Sequence, residues 1–383
     1  MNDGAVVSWR ASGRVALMSL AATRIPVLLI GAIAAVTIGT TPAATAEALW
    51  RVSSSELGNL LARWDTAWYF SIATEGYHWD PSTFRHENVV FFPLYPMLMR
   101  WGGYLMGGQP LLAGLIVSLA CFTAAMALVY RLAAEELGEQ HARPVVLLIS
   151  TYPFALFYST VYTESLFLFL TVGAFYAMRR DQVALAACCG LAAGLARPNG
   201  MWLAAPLLWM AFHQRGRPRW RHAGALVAAL SPIAGTIAYS AYLFFRFGDG
   251  LAWVHGQAAW GLPLALRTGA KDAPAFVRAP LQVYTDILVW AADLAAFVVA
   301  AAAIKPILKR FGPPYALWVA LTIVPPVMAH LFMSAGRFTA VLFPLFFWLA
   351  TALPRPQVWR VAICFASVQA AFAVLFFLWQ PVV

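Results

Sequence analysis

Leu111–Tyr130 reads LLAGLIVSLACFTAAMALVY. It carries no charge, and twenty residues at ~1.5 Å each cross the ~30 Å hydrocarbon core of a bilayer. The segment therefore reads as a transmembrane helix. The rest of the chain follows suit: 62% of its 383 residues are hydrophobic, 11% are charged, and mean hydropathy is +0.71. A soluble globular domain does not reach such values. Further apolar runs lie near 24–41, 144–160, 164–178, 183–197, 200–213, 223–245, 281–304, 314–333, 338–353 and 360–379. The expected fold is an all-α polytopic membrane protein of about eleven transmembrane helices. Several of the runs are short enough to be tilted, re-entrant or shielded by neighbours. Residues 1–383 read as one integral membrane domain with two long loops, 42–110 and 246–280. Thr41–Ala46 loosely resembles a signal-peptidase site, but an uncleaved first span is the preferred reading.

Net charge is +10. In a soluble protein that would suggest nucleic acid; here the positive-inside rule accounts for it, and no nucleic-acid partner is expected. Most of the Lys and Arg residues sit in short connections near span ends, densest at Arg215, Arg217, Arg219 and Arg221. That side is expected to be cytoplasmic, with the N-terminus. The same cluster can also be read as an anionic-lipid site. The opposite side carries both long loops and most polar residues of chemical interest, so a reaction would face outward from the cell membrane. Cys121, Cys188, Cys189 and Cys364 all lie in apolar runs without a CxxC pair, so neither a disulfide framework nor a zinc site is expected.

The chemical centre of the first long loop is Arg63-Trp64-Asp65-Thr66-Ala67-Trp68-Tyr69. A carboxylate among aromatics beside a membrane is costly without a task or a partner. Leu57, Leu60, Leu61, Trp64 and Trp68 recur at helical spacing, which predicts an interfacial helix over 55–76 that ends at Gly76. Asp65 then shares a face with Tyr69 and Ile72, turned from the Trp stripe toward the protein. The plain alternative is a structural carboxylate paired with Arg63 or Arg85. Phe91–Arg100 contains Pro93 and Pro96 and is expected not to form one clean helix. His78, His86 and Glu87 lack ligand spacing, so no metal is expected, and no cofactor. Asp286 and Asp293 lie seven residues apart inside a predicted span; they can line a polar cavity or pair with Arg, away from the active site.

Trp64-Asp65, Tyr69, Ile72-Ala73 and Gly76-Tyr77, followed by Phe91-Phe92-Pro93-Leu94-Tyr95-Pro96, resemble the signature of the PIG-V family. These are the GPI mannosyltransferase 2 proteins and their bacterial relatives, in the GT-C class of membrane glycosyltransferases. Four further stretches resemble family motifs in the same order. They are Tyr162–Phe167, Gly190–Ala192 through Ala196-Arg197-Pro198-Asn199-Gly200, Gln257 with Trp260-Gly261, and Gly336-Arg337-Phe338 with Phe343-Pro344-Leu345. Each is weak alone; five in order, over 63–345, are specific. Trp68 and Phe338 depart from the commoner His and Tyr.

The resemblance implies a GT-C type helical bundle. It also implies a polyprenyl-phosphate-mannose donor and an inverting single displacement with Asp65 as base. Arg337 and Arg197 are the candidates for the donor phosphate, each otherwise a snorkelling span-end Arg. Trp64, Tyr69, Glu164, Gln257 and Trp260 are the candidates for sugar or acceptor; Glu164 can equally stabilise a helix N-terminus, and Trp260 can be an interface anchor. The composition, rich in Ala and Arg, suggests a bacterium, so the expected acceptor is an envelope glycolipid, glycan or protein. A lipid or glycolipid transporter is the competing class, although repeated halves are not evident.

Overall fold

The computed structural model describes residues 8–39, 50–82, 86–213, 219–259, 280–328, 332 and 334–382; at 219–221, 258, 280–283 and 328 it describes the backbone alone. Every regular element among them is helical. The chain begins with α1 (Trp9–Thr37), which contains a π-helical turn at Leu20–Arg24. The first loop holds α2 (Thr66–Thr74) and α3 (Leu94–Leu105). Next come α4 (Pro110–Leu137), α5 (Glu139–Thr151), a 3-10 segment Pro153–Ser159, α6 (Glu164–Arg179) and α7 (Val183–Ala196). A second 3-10 segment, Pro198–Leu203, leads into α8 (Ala204–His213), α9 (Arg219–Phe247) and the short α10 (Ala252–His255). The C-terminal part is α11 (Pro280–Phe311), α12 (Pro313–Thr322), α13 (Val324–Met328), α14 (Ala335–Ala340), α15 (Phe343–Ala352) and α16 (Arg355–Phe377).

Five of these helices are long and apolar enough to cross a membrane: α1, α4, most of α9, most of α11, and α16. A sixth is obtained if Pro153–Ser159 and α6, bent by 99° to each other, make one broken span. The chain is thus built as a multi-pass membrane protein, with five or six full-length spans among the described residues against about eleven expected helices, several of them from short runs. The reason is visible where helices stop. The run near 144–160 breaks after Thr151, ahead of Pro153. The run near 314–333 is interrupted after Thr322, ahead of Pro325 and Pro326. Helices α7 and α15 have 14 and 10 residues, short of the ~20 that a full crossing takes.

Helix α6 is the centre of the molecule: from Glu164 to Met178 nearly every residue is buried. It packs between α4 and α7, and α7 in turn packs along α9. That last contact is close because it is made by glycines. A Cβ on Gly194 would lie 2.0 Å from the Pro232 carbonyl oxygen, and one on Gly235 would lie 2.3 Å from that of Leu191. Small residues let two apolar helices approach backbone to backbone, where dispersion and not water drives association.

Three local expectations are corrected. Residues 55–76 do not form one helix; turns occupy Ser53–Leu61, and α2 starts at Thr66 because Trp64 adopts a left-handed φ of 50°. Within α2 the predicted inward face holds, with Tyr69 and Ile72 buried. The Phe91–Arg100 stretch does contain a regular helix, α3: Pro93 is its N-cap and Pro96 falls in its first turn, where an N–H has no intrahelical partner to lose. Arg24, which opens the predicted run 24–41 and whose charge marks its boundary, lies inside α1 and is buried. Its guanidinium donates to the Ser150 and Ala155 carbonyls and to Gln369 (3.2 Å) and lies 5.0 Å from the Phe122 ring centre. The end of α5 at Thr151 leaves the Ser150 carbonyl without an i+4 donor, and Arg24 and Gln369 both donate to it.

Candidate active site

The sequence sets Asp65 among aromatics, and the structure adds what holds it. The left-handed turn at Trp64 swings the chain so that Asp65 is the residue at the mouth of α2. Its backbone N–H donates to the Tyr162 hydroxyl at 3.1 Å. Its side chain does not pair with Arg63. The Arg63 guanidinium turns away to the carbonyls of Asn59, Ala62 and Phe377 and lies 5.4 Å from the Trp379 ring centre. Burial lowers its pKa to about 10, helped by the nearby charge of Arg51. Arg85 lies outside the described residues.

The partner of Asp65 is Arg337, 272 residues away: Nη1 donates to Asp65 Oδ2 at 2.8 Å. Arg337 Nε donates to Glu164 Oε1, also at 2.8 Å, and Arg197 Nη1 reaches the same oxygen at 3.1 Å. Four residues from four separate motifs thus form one chain of charge, Asp65–Arg337–Glu164–Arg197. Two acids and two guanidinium groups balance, which is how charges survive away from water.

Each member is positioned by its element. Glu164 opens α6 immediately after the 99° bend. Arg197 ends α7, and its guanidinium lies 5.1 Å from the Phe338 ring centre and 5.6 Å from that of Phe167. Arg337 sits on α14 with its guanidinium 4.8 and 4.9 Å from the ring centres of Phe157 and Tyr162, a cation–π cradle. Helix α14 packs against the 3-10 segment. A Cβ on Gly336 would lie 2.1 Å from the Phe154 ring, and the Tyr158 hydroxyl donates to the Ala340 carbonyl at 2.7 Å.

Side-chain exposure grades along the chain: 18% for Asp65, 8% for Arg337, 0% for Glu164, with Arg197 at 11%. Asp65 is therefore the more accessible of the two carboxylates, and Glu164 is the buried one. Glu164 Oε1 takes both arginines, while Oε2 has no hydrogen-bond partner among the described residues.

Tyr69 is also here, buried edge-on against Phe91, Tyr95 and Tyr162, with its hydroxyl 3.5 Å from Thr163 Oγ1. Burial first, then the charges of Glu164 and Asp65, push its ionisation well above the ordinary tyrosine range, so it stays a neutral donor. Two further expected residues lie elsewhere. Trp64 packs on Trp379, ring centres 5.4 Å apart, beside the ion chain. Gln257 belongs to the short turn Gly256–Ala258, which packs on Val89 and Val90 in a second, smaller core. Trp260 lies outside the described residues, as do 261–279 of the second loop.

Sequence reasoning missed three contributors. Tyr162, in the second motif, and Phe157, outside every motif, cradle Arg337; their aromatic character alone reads as packing. Asp293, set apart from the active site, accepts the Gly336 N–H on its Oδ1 at 2.6 Å. An acid within an apolar span was the available signal. Among the described residues, no group of three or more His, Cys, Asp or Glu side chains is arranged to hold a metal ion.

Residues 25–214 match the model of the mannosyltransferase (PIG-V) family. No curated protein matches the chain. Among solved structures, the Archaeoglobus fulgidus oligosaccharyltransferase in complex with zinc and sulfate is similar at 15% identity and a TM-score of 0.44, over 92% of this chain and 52% of its own. The same organism's oligosaccharyltransferase AglB, in complex with an inhibitory peptide and a dolichol-phosphate, is similar at 14% identity and a TM-score of 0.41, over 93% and 55%. The chain spans about half the length of those structures.

Proposed function

Since the chain belongs to the mannosyltransferase (PIG-V) family, whose model covers residues 25–214, we propose that it is a GT-C type membrane glycosyltransferase that moves a mannosyl residue from a polyprenyl-phosphate donor to an envelope glycolipid, glycan or protein on the outer face. The observation that carries this reading is the Asp65–Arg337 contact, a partly exposed carboxylate and an aromatic-cradled guanidinium joined at 2.8 Å. One is a proton acceptor and the other a phosphate ligand, and they are adjacent.

The chemistry is a single displacement with inversion. Asp65 takes the proton of an acceptor hydroxyl as its oxygen attacks the anomeric carbon, while the bond from that carbon to the phosphate oxygen breaks and lipid phosphate leaves. Arg337 accommodates the growing phosphate charge. In the resting site Arg337 neutralises Asp65. A phosphate that takes over Nη1 releases the carboxylate to act as base, while the bond from Nε to Glu164 keeps the guanidinium in place. Donor binding thus readies the base. Arg197, on the same Glu164 oxygen, is the second phosphate candidate. Trp64, beside the ion chain, offers an aromatic face to sugar or acceptor, with Trp260 as a second candidate; Glu164 and Tyr69 are buried and support the site from behind, and Gln257 lies apart in the Gly256–Ala258 turn.

The test uses purified protein in lipid nanodiscs with polyprenyl-phosphate mannose and a panel of envelope extracts. Wild type is expected to transfer the sugar, and Asp65→Asn to lose at least about 10²-fold in kcat. Absence of transfer by wild type across the panel, or full activity of Asp65→Asn, sinks the reading.

A further inference from the structure

Arg337 can meet both carboxylates only if α14 is held in one place, and α14 has six residues, too short to hold itself. Its C-terminal end is tied to the 3-10 region: the Tyr158 hydroxyl donates to the Ala340 carbonyl at 2.7 Å, and the Tyr152 and Thr339 hydroxyls are 2.8 Å apart. Its N-terminal end follows Ser334, a non-glycine residue at a left-handed φ of 61°, a conformation that persists only where neighbours impose it. At that end the Gly336 N–H, one residue from Arg337, meets the buried carboxylate of Asp293 from α11 at 2.6 Å. The first N–H groups of a helix have no partner of their own, and a carboxylate is a strong acceptor for them.

We propose that Asp293 is the positioning residue of this site: by accepting the Gly336 N–H it fixes the entry of α14 and so aims the Arg337 guanidinium at Asp65 and Glu164. An intramembrane acid outside the ion chain thereby acts on the reaction through Arg337. Its consequence for turnover rests on the proposed reading of Arg337 as phosphate ligand; its consequence for the backbone does not.

The experiment compares wild type, Asp293→Ala and Asp293→Asn in nanodiscs by two measurements. Hydrogen exchange of the peptide covering 334–342 is expected to accelerate at least about tenfold in Asp293→Ala, with exchange elsewhere unchanged. Asp293→Asn, whose amide oxygen still accepts, is expected to match wild type. Mannosyl transfer is expected to lose about 10- to 100-fold in kcat in Asp293→Ala with acceptor KM unchanged, and to return within about threefold in Asp293→Asn. If Asp293→Ala does not accumulate, Asp293→Ser, a polar side chain too short to reach the amide, takes its place. Unchanged exchange at 334–342, or an Asn variant as impaired as the Ala variant, overturns the proposal. A wild type with no transferase activity defeats the proposed function and leaves the exchange measurement to decide the role of Asp293.

Discussion

Glu164 Oε1 receives both Arg337 and Arg197, so one atom carries the electrostatics of the site. Glu164→Gln would leave two guanidinium groups facing a neutral amide in a buried setting. The expected cost is about 3–5 kcal/mol, seen as a lower midpoint of thermal unfolding in detergent. Asp65→Asn should unfold near wild type, because Arg337 keeps Glu164 and Asp65 is partly exposed. The pair of variants separates the anchor from the base. Which residues carry charge chemistry was readable from the sequence, since Asp65, Glu164, Arg197 and Arg337 each stand at a motif. Which of them pair was not. Spacing offers Arg63 to Asp65 as the nearest cation, but Arg63 is consumed by backbone carbonyls of its own turn and of α16. A contact between positions 65 and 337 is made by the fold and leaves no local trace.

At the scale of elements, glycine decides two approaches. Gly194→Val would drive a branched side chain into the Pro232 carbonyl, so α7 and α9 must separate. A loss of about 3 kcal/mol or more is expected, since the obstacle is backbone and cannot turn aside; chemical or thermal unfolding reads it. Gly336→Ala meets the buried Phe154 ring and should displace α14. Its activity is expected to fall about 10²-fold, more than its stability, as kinetics beside a melt would reveal. The helical class was legible from apolar runs, and α4 follows its run closely. The span count was not. An apolar run does not say whether its backbone stays in one helix: Pro153 ends one, whereas Pro96 at a first turn is harmless. Nor did it show that Arg24, charged and therefore read as a boundary, closes an internal break.

Across the whole molecule, the site occupies the start of α6, the end of α7 and α14. The connection from α4 to α5 lies at the other end of α6, where Arg179 and Arg180 pair with Glu136 and Glu135. If the site faces outward, the two ends open to opposite sides of the membrane. With the four native cysteines replaced by Ala, Ser82→Cys should react with a membrane-impermeant maleimide on intact cells, and Gln140→Cys only after permeabilisation. The reverse pattern would refute the orientation. Glu164 Oε1 has one more implication, for how such a protein can change over generations. Arg197 and Arg337 lean on a single acceptor, so their losses are coupled: once one is gone, the other has the oxygen to itself. The double variant should fall short of the summed costs of the singles by about 0.5–3 kcal/mol. Single steps away from this charge arrangement are therefore steep, and compensated pairs of steps are the gentler route, so substitutions at 164, 197 and 337 should travel together in descent.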